Sequence, residues 1–477
     1  MGEDKSRPVF TDGSTMRHVI VMAATGAVGL VAVFTVDLAN LLYISMLGQQ
    51  ELAAAIGYAA TIIFFTMSFS IGLNIASTAI TARAFGARDL EGAHKSAASS
   101  LLFTTVIMSV VAAMLYPLLG PSLELLGAQG RTYEIALGFM QVVVPSIPLM
   151  GIGMCLSGLL RAKGDARRSM YLTLAAGATA AVVDPILIFG LDLGVTGAAI
   201  STLIARIVMV IVGFHSVWYV HRMLAMPDLT RLKTLFRPYL AIAAPAVMTQ
   251  IATPLGNAYV TGAIARFGDD AVAGWAIIGR VMPLAFAGIF ALSGAVGPIL
   301  SQNYGAGLND RVRRTMRDSL IACFVYTCTI WGVLAAASPL LVIVFRAHGE
   351  AASLVVFFCH FIAASFVFNG ALFVANASFN NLGYPMLAAL FNWGRATLGT
   401  IPLVYLGMTW GPQGILTGWG LGGAIFGTAA VIVCFRRLRT LPDFKPGKAV
   451  RVPIPPTAQS PFTTGKGATL SPPPDVD

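Results

Sequence analysis

The chain of 477 residues is 56% hydrophobic and 11% charged, with a mean hydropathy of +0.77, whereas ordinary soluble domains carry about 25% charged residues. That composition excludes a soluble enzyme or binding module as the body of the protein. A net charge of +10 would suit nucleic acid, but its distribution follows loops and tails and excludes that partner as well.

Twelve apolar runs follow one another, each long enough to cross about 30 Å of hydrocarbon as a helix. They are 18–46, 52–82, 96–118, 133–160, 169–190, 195–220, 238–265, 271–300, 319–345, 351–379, 384–408 and 413–435. The expected fold is an all-α polytopic membrane protein with twelve transmembrane helices. With the N-terminus on the inner side, 25 Lys and Arg fall on that side and only Arg131, Arg266 and Arg346 on the other. This positive-inside bias predicts cytoplasmic termini and a multi-pass location in the inner or plasma membrane. The first residues are polar and the first apolar run is too long for a signal h-region, so no cleavable signal is expected.

The organisation predicted along the chain is a tail over 1–16, a first lobe over 17–223, a linker over 224–236, a second lobe over 237–437 and a Pro-rich, disordered tail over 438–477. The five cysteines lie in apolar runs without metal-site spacing and read as small core residues. Walker, HExxH and GxSxG patterns are absent, so neither ATP hydrolysis nor hydrolase chemistry has support. The protein is not expected to be an enzyme or to carry a cofactor.

The two lobes repeat one another. The stretch from Arg17 to Gly48 aligns without a gap with that from Arg237 to Gly268, and ITARAFGARDLEGA after the second run matches ILSQNYGAGLNDRV after the eighth. Further on, DLGVTGAAIST resembles TWGPQGILTG. Six helices per repeat leave both copies in one orientation, related by an axis along the membrane normal, an arrangement found in transporters.

Two carboxylates, Asp37 and Asp184, lie deep inside apolar runs. A charge at membrane depth is costly and marks proton or ion chemistry by default. Counted from the outer ends of their runs at ~1.5 Å per residue, they lie about 15 Å and about 9 Å deep. In the repeat, Asp37 falls on Asn257, and Asp184 has only apolar counterparts. Acid-based coupling is therefore expected in the first lobe. Pro185, directly after Asp184, removes a helix hydrogen bond and invites a bend.

The Asp37 run with LGQQELAAAIGYA after it, FGARD, LRAKGD, VVDPILIFGLDLGVTGAAIST and SQNYGAG resemble, in that order and over residues 15–437, the multidrug and toxic compound extrusion (MATE) transporters. The resemblance implies a V-shaped pair of six-helix lobes that exports small amphipathic or cationic compounds against H⁺ or Na⁺, without other cofactors. It matches the proton-coupled bacterial and archaeal branch, in which acids on helices 1 and 5 form a polar cluster; Asp37 and Asp184 occupy those positions. The family's Na⁺-coupled branch relies on acids of helices 7 and 10, where this chain offers Asn257, His360 and Asn369. The family's Asn four residues before the helix-5 acid is here Ala180, which leaves Thr202 and Asn40 to supply polar groups near the acids.

The expected function is proton-coupled antiport by alternating access. Two alternatives stay open: coupling to Na⁺, and a lipid or lipid-linked oligosaccharide flippase in which Arg280 and Arg395 hold an anionic headgroup. Asn257 reads as either a cavity residue or interhelical glue. For Arg206, Arg280 and Arg395 the alternatives are pairing with acids, lining an aqueous cavity, or snorkelling. The expected partners are substrate, the coupling ion and membrane lipid, with the protein as a monomer.

Overall fold

A computed structural model describes residues 8–46, 50–225 and 229–442 of the chain. The side chains of Asp37 and Asn40, and the tail from residue 443 onward, lie outside the described residues. The first half comprises α1 (Thr15–Met46), α2 (Gln50–Gly86), α3 (Leu90–Leu115), α4 (Gly130–Lys163), α5 (Ala166–Gly190) and α6 (Gly194–Val220). The second comprises α7 (Leu229–Ile264), α8 (Asp269–Ala285 and Ala287–Gly305), α9 (Asn309–Val344), α10 (Gly349–Leu382), α11 (Pro385–Gly407) and α12 (Gly411–Arg439).

α11 and α12 follow each other almost without a loop, yet they are separate spans. Gly411 has φ +76° and turns the chain back. Gly407 then packs against Gly414, Gly418 against Leu403 and Gly422 against Gly399, the register of an antiparallel hairpin. A Cβ on Gly418 would lie 2.3 Å from the Leu403 carbonyl oxygen, so the small residue is needed for this approach. With this hairpin resolved, the described residues contain the twelve membrane-length helices that the apolar runs predict.

Several spans are broken where proline removes a backbone donor. α4 passes through a 3-10 turn at Val144–Ser146, around Pro145. Arg206 of α6 reaches this break, donating to the Val143 carbonyl at 3.2 Å and to the Ser146 hydroxyl at 2.6 Å. α5 widens into a π turn at Ile186–Gly190, directly after Pro185. α8 bends by 45° between its two segments, just past Pro283. There the Tyr326 hydroxyl of α9 donates to the Ala285 carbonyl at 2.8 Å and accepts from the Gly288 N–H at 3.1 Å. Hydropathy over the run at 271–300 does not reveal this bend, although Pro283 lies within it.

Each half has its own apolar interior. In the second half Phe286 stacks on Phe366 at 4.1 Å, and Trp275 meets Trp419 edge-on. Cys155, Cys323, Cys359 and Cys434 are buried among such residues.

The two halves are joined at the ends that carry the basic loops. Arg83 of α2 is buried and donates to the Asn381 carbonyl at the end of α10, at 2.8 Å. Gln302 of α8 donates to the Ala162 carbonyl of α4 at 2.7 Å and accepts from the Phe10 N–H. Arg311 ties down the segment before α1 through the carbonyls of Phe10, Asp12 and Gly13. Tyr239 of α7 is fully buried, its hydroxyl 3.0 Å from Thr104 and 3.3 Å from Ser77. Backbones meet here too: a Cβ on Gly86 would fall 2.0 Å from the Gln302 carbonyl oxygen.

Candidate coupling site in the first half

α1 and α5 run side by side in the same direction. Gly29 faces Thr173, Gly177 faces Val36, and the Tyr43 ring meets Phe189 edge-on at 5.9 Å. A Cβ on Gly29 would lie 2.4 Å from the Thr173 hydroxyl, so this glycine sets the close approach. The register puts the backbone of Asp37 between the levels of Gly177 and Asp184. The two acid-bearing positions thus belong to adjacent helices and to the same part of the first half, away from the basic loops.

Asp184 is only 2% exposed. It sits one residue before Pro185, where α5 changes from α to π geometry. α6 closes over this segment because Gly197 has no side chain: a Cβ there would lie 2.8 Å from the Leu187 carbonyl. That contact brings the fully buried Ser201 hydroxyl beside the Asp184 carboxyl. The Ser201 hydroxyl has no hydrogen-bond partner among the described residues. Thr202, expected to supply the hydroxyl, instead donates to the Ala198 carbonyl of its own helix at 2.9 Å. No cation pairs with Asp184 among the described residues; Arg206, the arginine of α6, is committed to the break in α4.

A buried carboxyl without a cation can be held cheaply only in its neutral form, since stripping water from the anion costs several kcal/mol or more. Chemically, the pocket around Asp184 can therefore take up a proton when closed and release it when opened to water.

At the opposite end of α5, outside the membrane-spanning segments, Asp165 caps the helix by accepting from the Arg168 N–H at 3.0 Å. Its other oxygen meets the Arg168 guanidinium at 2.6 Å and the His221 ring at 2.8 Å, tying the start of α5 to the end of α6. Burial pushes this carboxyl up, but the hydrogen bonds from His221 and Arg168 outweigh it and hold Asp165 well below the usual carboxylate range.

The candidates of the second half are not gathered at one place. Asn369 is buried against α12, where a Cβ on Gly423 would lie 2.9 Å from its amide. His360 is exposed, with its ring on the Val356 carbonyl at 2.9 Å and its own carbonyl taken by Trp331 of α9. Asn257 is half-buried on α7, its carbonyl accepting from Thr261. Arg395 is buried in the π turn of α11 and donates to the Thr253 hydroxyl of α7 at 3.0 Å, while its Nε has no partner. Arg280 is exposed on the first segment of α8, on a face it shares with Ala273, Ala276 and Gly279. The faces turned outward on α9 instead carry Phe324, Val333, Leu340 and Ile343, side chains suited to lipid. Ser201 and Thr253 escaped the sequence reading, although Ser201 shares a small-residue face with Gly197 and Ala205, one turn either side.

Comparison with known proteins places this arrangement. The family model described as MatE matches residues 27–186 and 245–406, one stretch in each half. The FAD transporter of Shewanella oneidensis is 26% identical over 88% of this chain and 94% of its own. Multidrug export protein MepA of Staphylococcus haemolyticus is 22% identical over 88% of this chain and 92% of its own. Among solved structures, an outward-facing multidrug resistance MATE transporter of the MOP superfamily superposes with a TM-score of 0.86 at 18% identity, covering 91% of this chain and 98% of that one. The Vibrio cholerae MATE transporter VcmN gives a TM-score of 0.85 at 24% identity, with 89% and 97% covered. With its model matched across both halves of a twelve-helix bundle, the chain belongs to the MatE family of multi-pass membrane transporters.

Proposed function

We propose that the protein is a proton-coupled antiporter that exports amphipathic, cationic compounds by alternating access, with both termini in the cytoplasm. The observation that carries this reading is Asp184: a carboxyl 2% exposed in the part of the first half away from the basic loops, with a buried hydroxyl beside it and no cation paired with it among the described residues. Asp37 stands on the neighbouring helix at a comparable level, and the second half contributes no intramembrane carboxylate. Closure of the two halves at their basic ends supports an outward-facing state, in which the acids meet protons from outside. Protonation then neutralises the site and displaces a cationic substrate, since one carboxylate cannot serve both. The test is transport in proteoliposomes with ΔpH and the Na⁺ gradient imposed separately. Proton coupling predicts cation movement driven by ΔpH in Na⁺-free buffer; movement driven only by Na⁺ would assign the site to Na⁺.

A second reading concerns the cargo. Arg395 is buried with an unpaired Nε, and Arg280 lies on an exposed face of small residues, both in the half whose apolar runs carry no carboxylate. Two such cations favour an anionic substrate, and a relative of similar length is named as a transporter of FAD, a dinucleotide with a diphosphate. In the same vesicles, FAD movement abolished by Arg395→Gln would support this cargo; cation movement insensitive to that change would favour the first.

A further inference from the structure

At the basic ends of α9 and α12 a cleft of ≈ 340 Å³ opens between the two helices. Arg313, Arg314, Arg317 and Arg439 converge on it, with Asp310 as the one acid among its lining residues and Phe435 and Leu438 forming an apolar wall. Asp310 is 96% exposed on its side chain and is already paired with Arg313 at 2.9 Å. Arg313 also donates its Nε to the Leu438 carbonyl at 3.3 Å, which fixes the distance between the helices. Arg314 and Arg439 have no partner among the described residues, and Arg317 only grazes Asp318 at 4.0 Å.

The level of the cleft identifies its environment. α9 has 36 residues, or ~54 Å at ~1.5 Å per residue, against about 30 Å of hydrocarbon. Its first turns therefore stand in the headgroup zone, and Arg313 to Arg317 lie there. Toward the membrane the cleft leads onto exposed apolar surface, Ile321 and Phe324 on α9 and Ile432 on α12. A soluble anion would use the guanidinium groups but not this surface. A phospholipid uses both, with its phosphate between the arginines and its chains along α9 and α12.

We propose that this cleft is a binding site for an anionic phospholipid of the cytoplasmic leaflet. The site is separate from the coupling acids and does not depend on how they work. Three convergent, largely unpaired guanidinium groups repel one another, and the phosphate offsets that repulsion where the chain itself supplies only one exposed carboxylate.

Native mass spectrometry of the full-length protein tests this, after delipidation and titration with phosphatidylglycerol, phosphatidylcholine or glycerol 3-phosphate. The unaltered protein should retain phosphatidylglycerol in preference to phosphatidylcholine. The triple variant R314Q/R317Q/R439Q should weaken that retention by at least about tenfold. A variant with the same charge change at exposed sites elsewhere, R17Q/R167Q/K233Q, should retain it. Equal loss in both variants, or no loss in either, overturns the site. Competition by glycerol 3-phosphate as strong as that by the lipid would make it a soluble-anion site and overturn the lipid assignment. The single variants R314Q and R439Q, each expected to weaken retention by a smaller factor, keep the test decisive if the triple variant fails to fold.

Discussion

The guanidinium of Arg83, at the end of α2, donates at 2.8 Å to the backbone carbonyl of Asn381, at the end of α10, and so binds one half of the molecule to the other. Arg83 is 2% exposed, its Nε has no partner, and its charge is held by this bond from a terminal nitrogen and by the Tyr304 ring 5.6 Å away. A hydrogen bond to a charged group contributes about 1.5–3 kcal/mol, and removing the donor leaves a buried carbonyl unpaired. Arg83→Ala should therefore shift the molecule toward opening at its basic end by about tenfold or more. Spin labels at R167C and T440C in a cysteine-free background would register this as a longer distance component. An unchanged distance distribution would show that the bond does not govern closure.

Arg206 illustrates a cation whose alternatives the structure resolves. Its bonds to Val143 and Ser146 anchor α6 to the break in α4 around Pro145. Arg206→Met should cost about 1–3 kcal/mol of stability by removing two charge-assisted hydrogen bonds, although the Ser146 hydroxyl still donates to the Val143 carbonyl at 2.7 Å. Transport per folded molecule should change little. Thermal unfolding in detergent measures the first expectation, and transport normalised to folded protein the second; a selective loss of transport would instead make Arg206 a substrate residue.

These two arginines also show what the sequence makes legible. Both appear as isolated charges at membrane depth or at a helix end, because hydropathy reports where a charge is unexpected. What each one pairs with depends on breaks in other helices and on contacts between halves, which periodicity does not encode. The twelve spans were legible because length and apolarity alone define them, and the repeat because Arg17–Gly48 aligns without a gap with Arg237–Gly268. The bend of α8 was not, since Pro283 signals a possible break but Tyr326, which bridges it, comes from a different helix. Ser201 and Thr202 make the same point at one-residue scale. Adjacent positions on a helix point about 100° apart, so only the packing of α5 on Gly197 selects Ser201 as the neighbour of Asp184.

Asp165 gives a pH dependence with a definite sign. Its folded pKa is depressed below its ordinary value of 3.8 by the bonds from His221 and Arg168, despite burial pushing the other way. The stability it contributes is therefore fully present above that ordinary value and is lost as pH falls through the lower folded one. Asp165→Asn should lower the unfolding temperature at neutral pH, by an amount typical of losing a helix cap and a partly buried pair, about 1–2 kcal/mol. The gap between variant and unaltered protein should narrow below about pH 4. Unfolding scans between neutral and strongly acidic pH check this; a gap independent of pH would exclude Asp165 as the titrating partner.

The central claim is that the buried carboxyl of Asp184 carries the coupling proton. Asn has nearly the same shape but no proton to exchange, so Asp184→Asn should preserve the fold and remove the coupling. The most direct measurement is ΔpH-driven transport of a cationic substrate by the purified D184N protein in Na⁺-free proteoliposomes, beside unaltered protein at equal reconstituted amount. The account predicts that transport falls to the level of empty vesicles while the unfolding temperature stays close to that of the unaltered protein; ΔpH-driven transport at the full rate in D184N would contradict it.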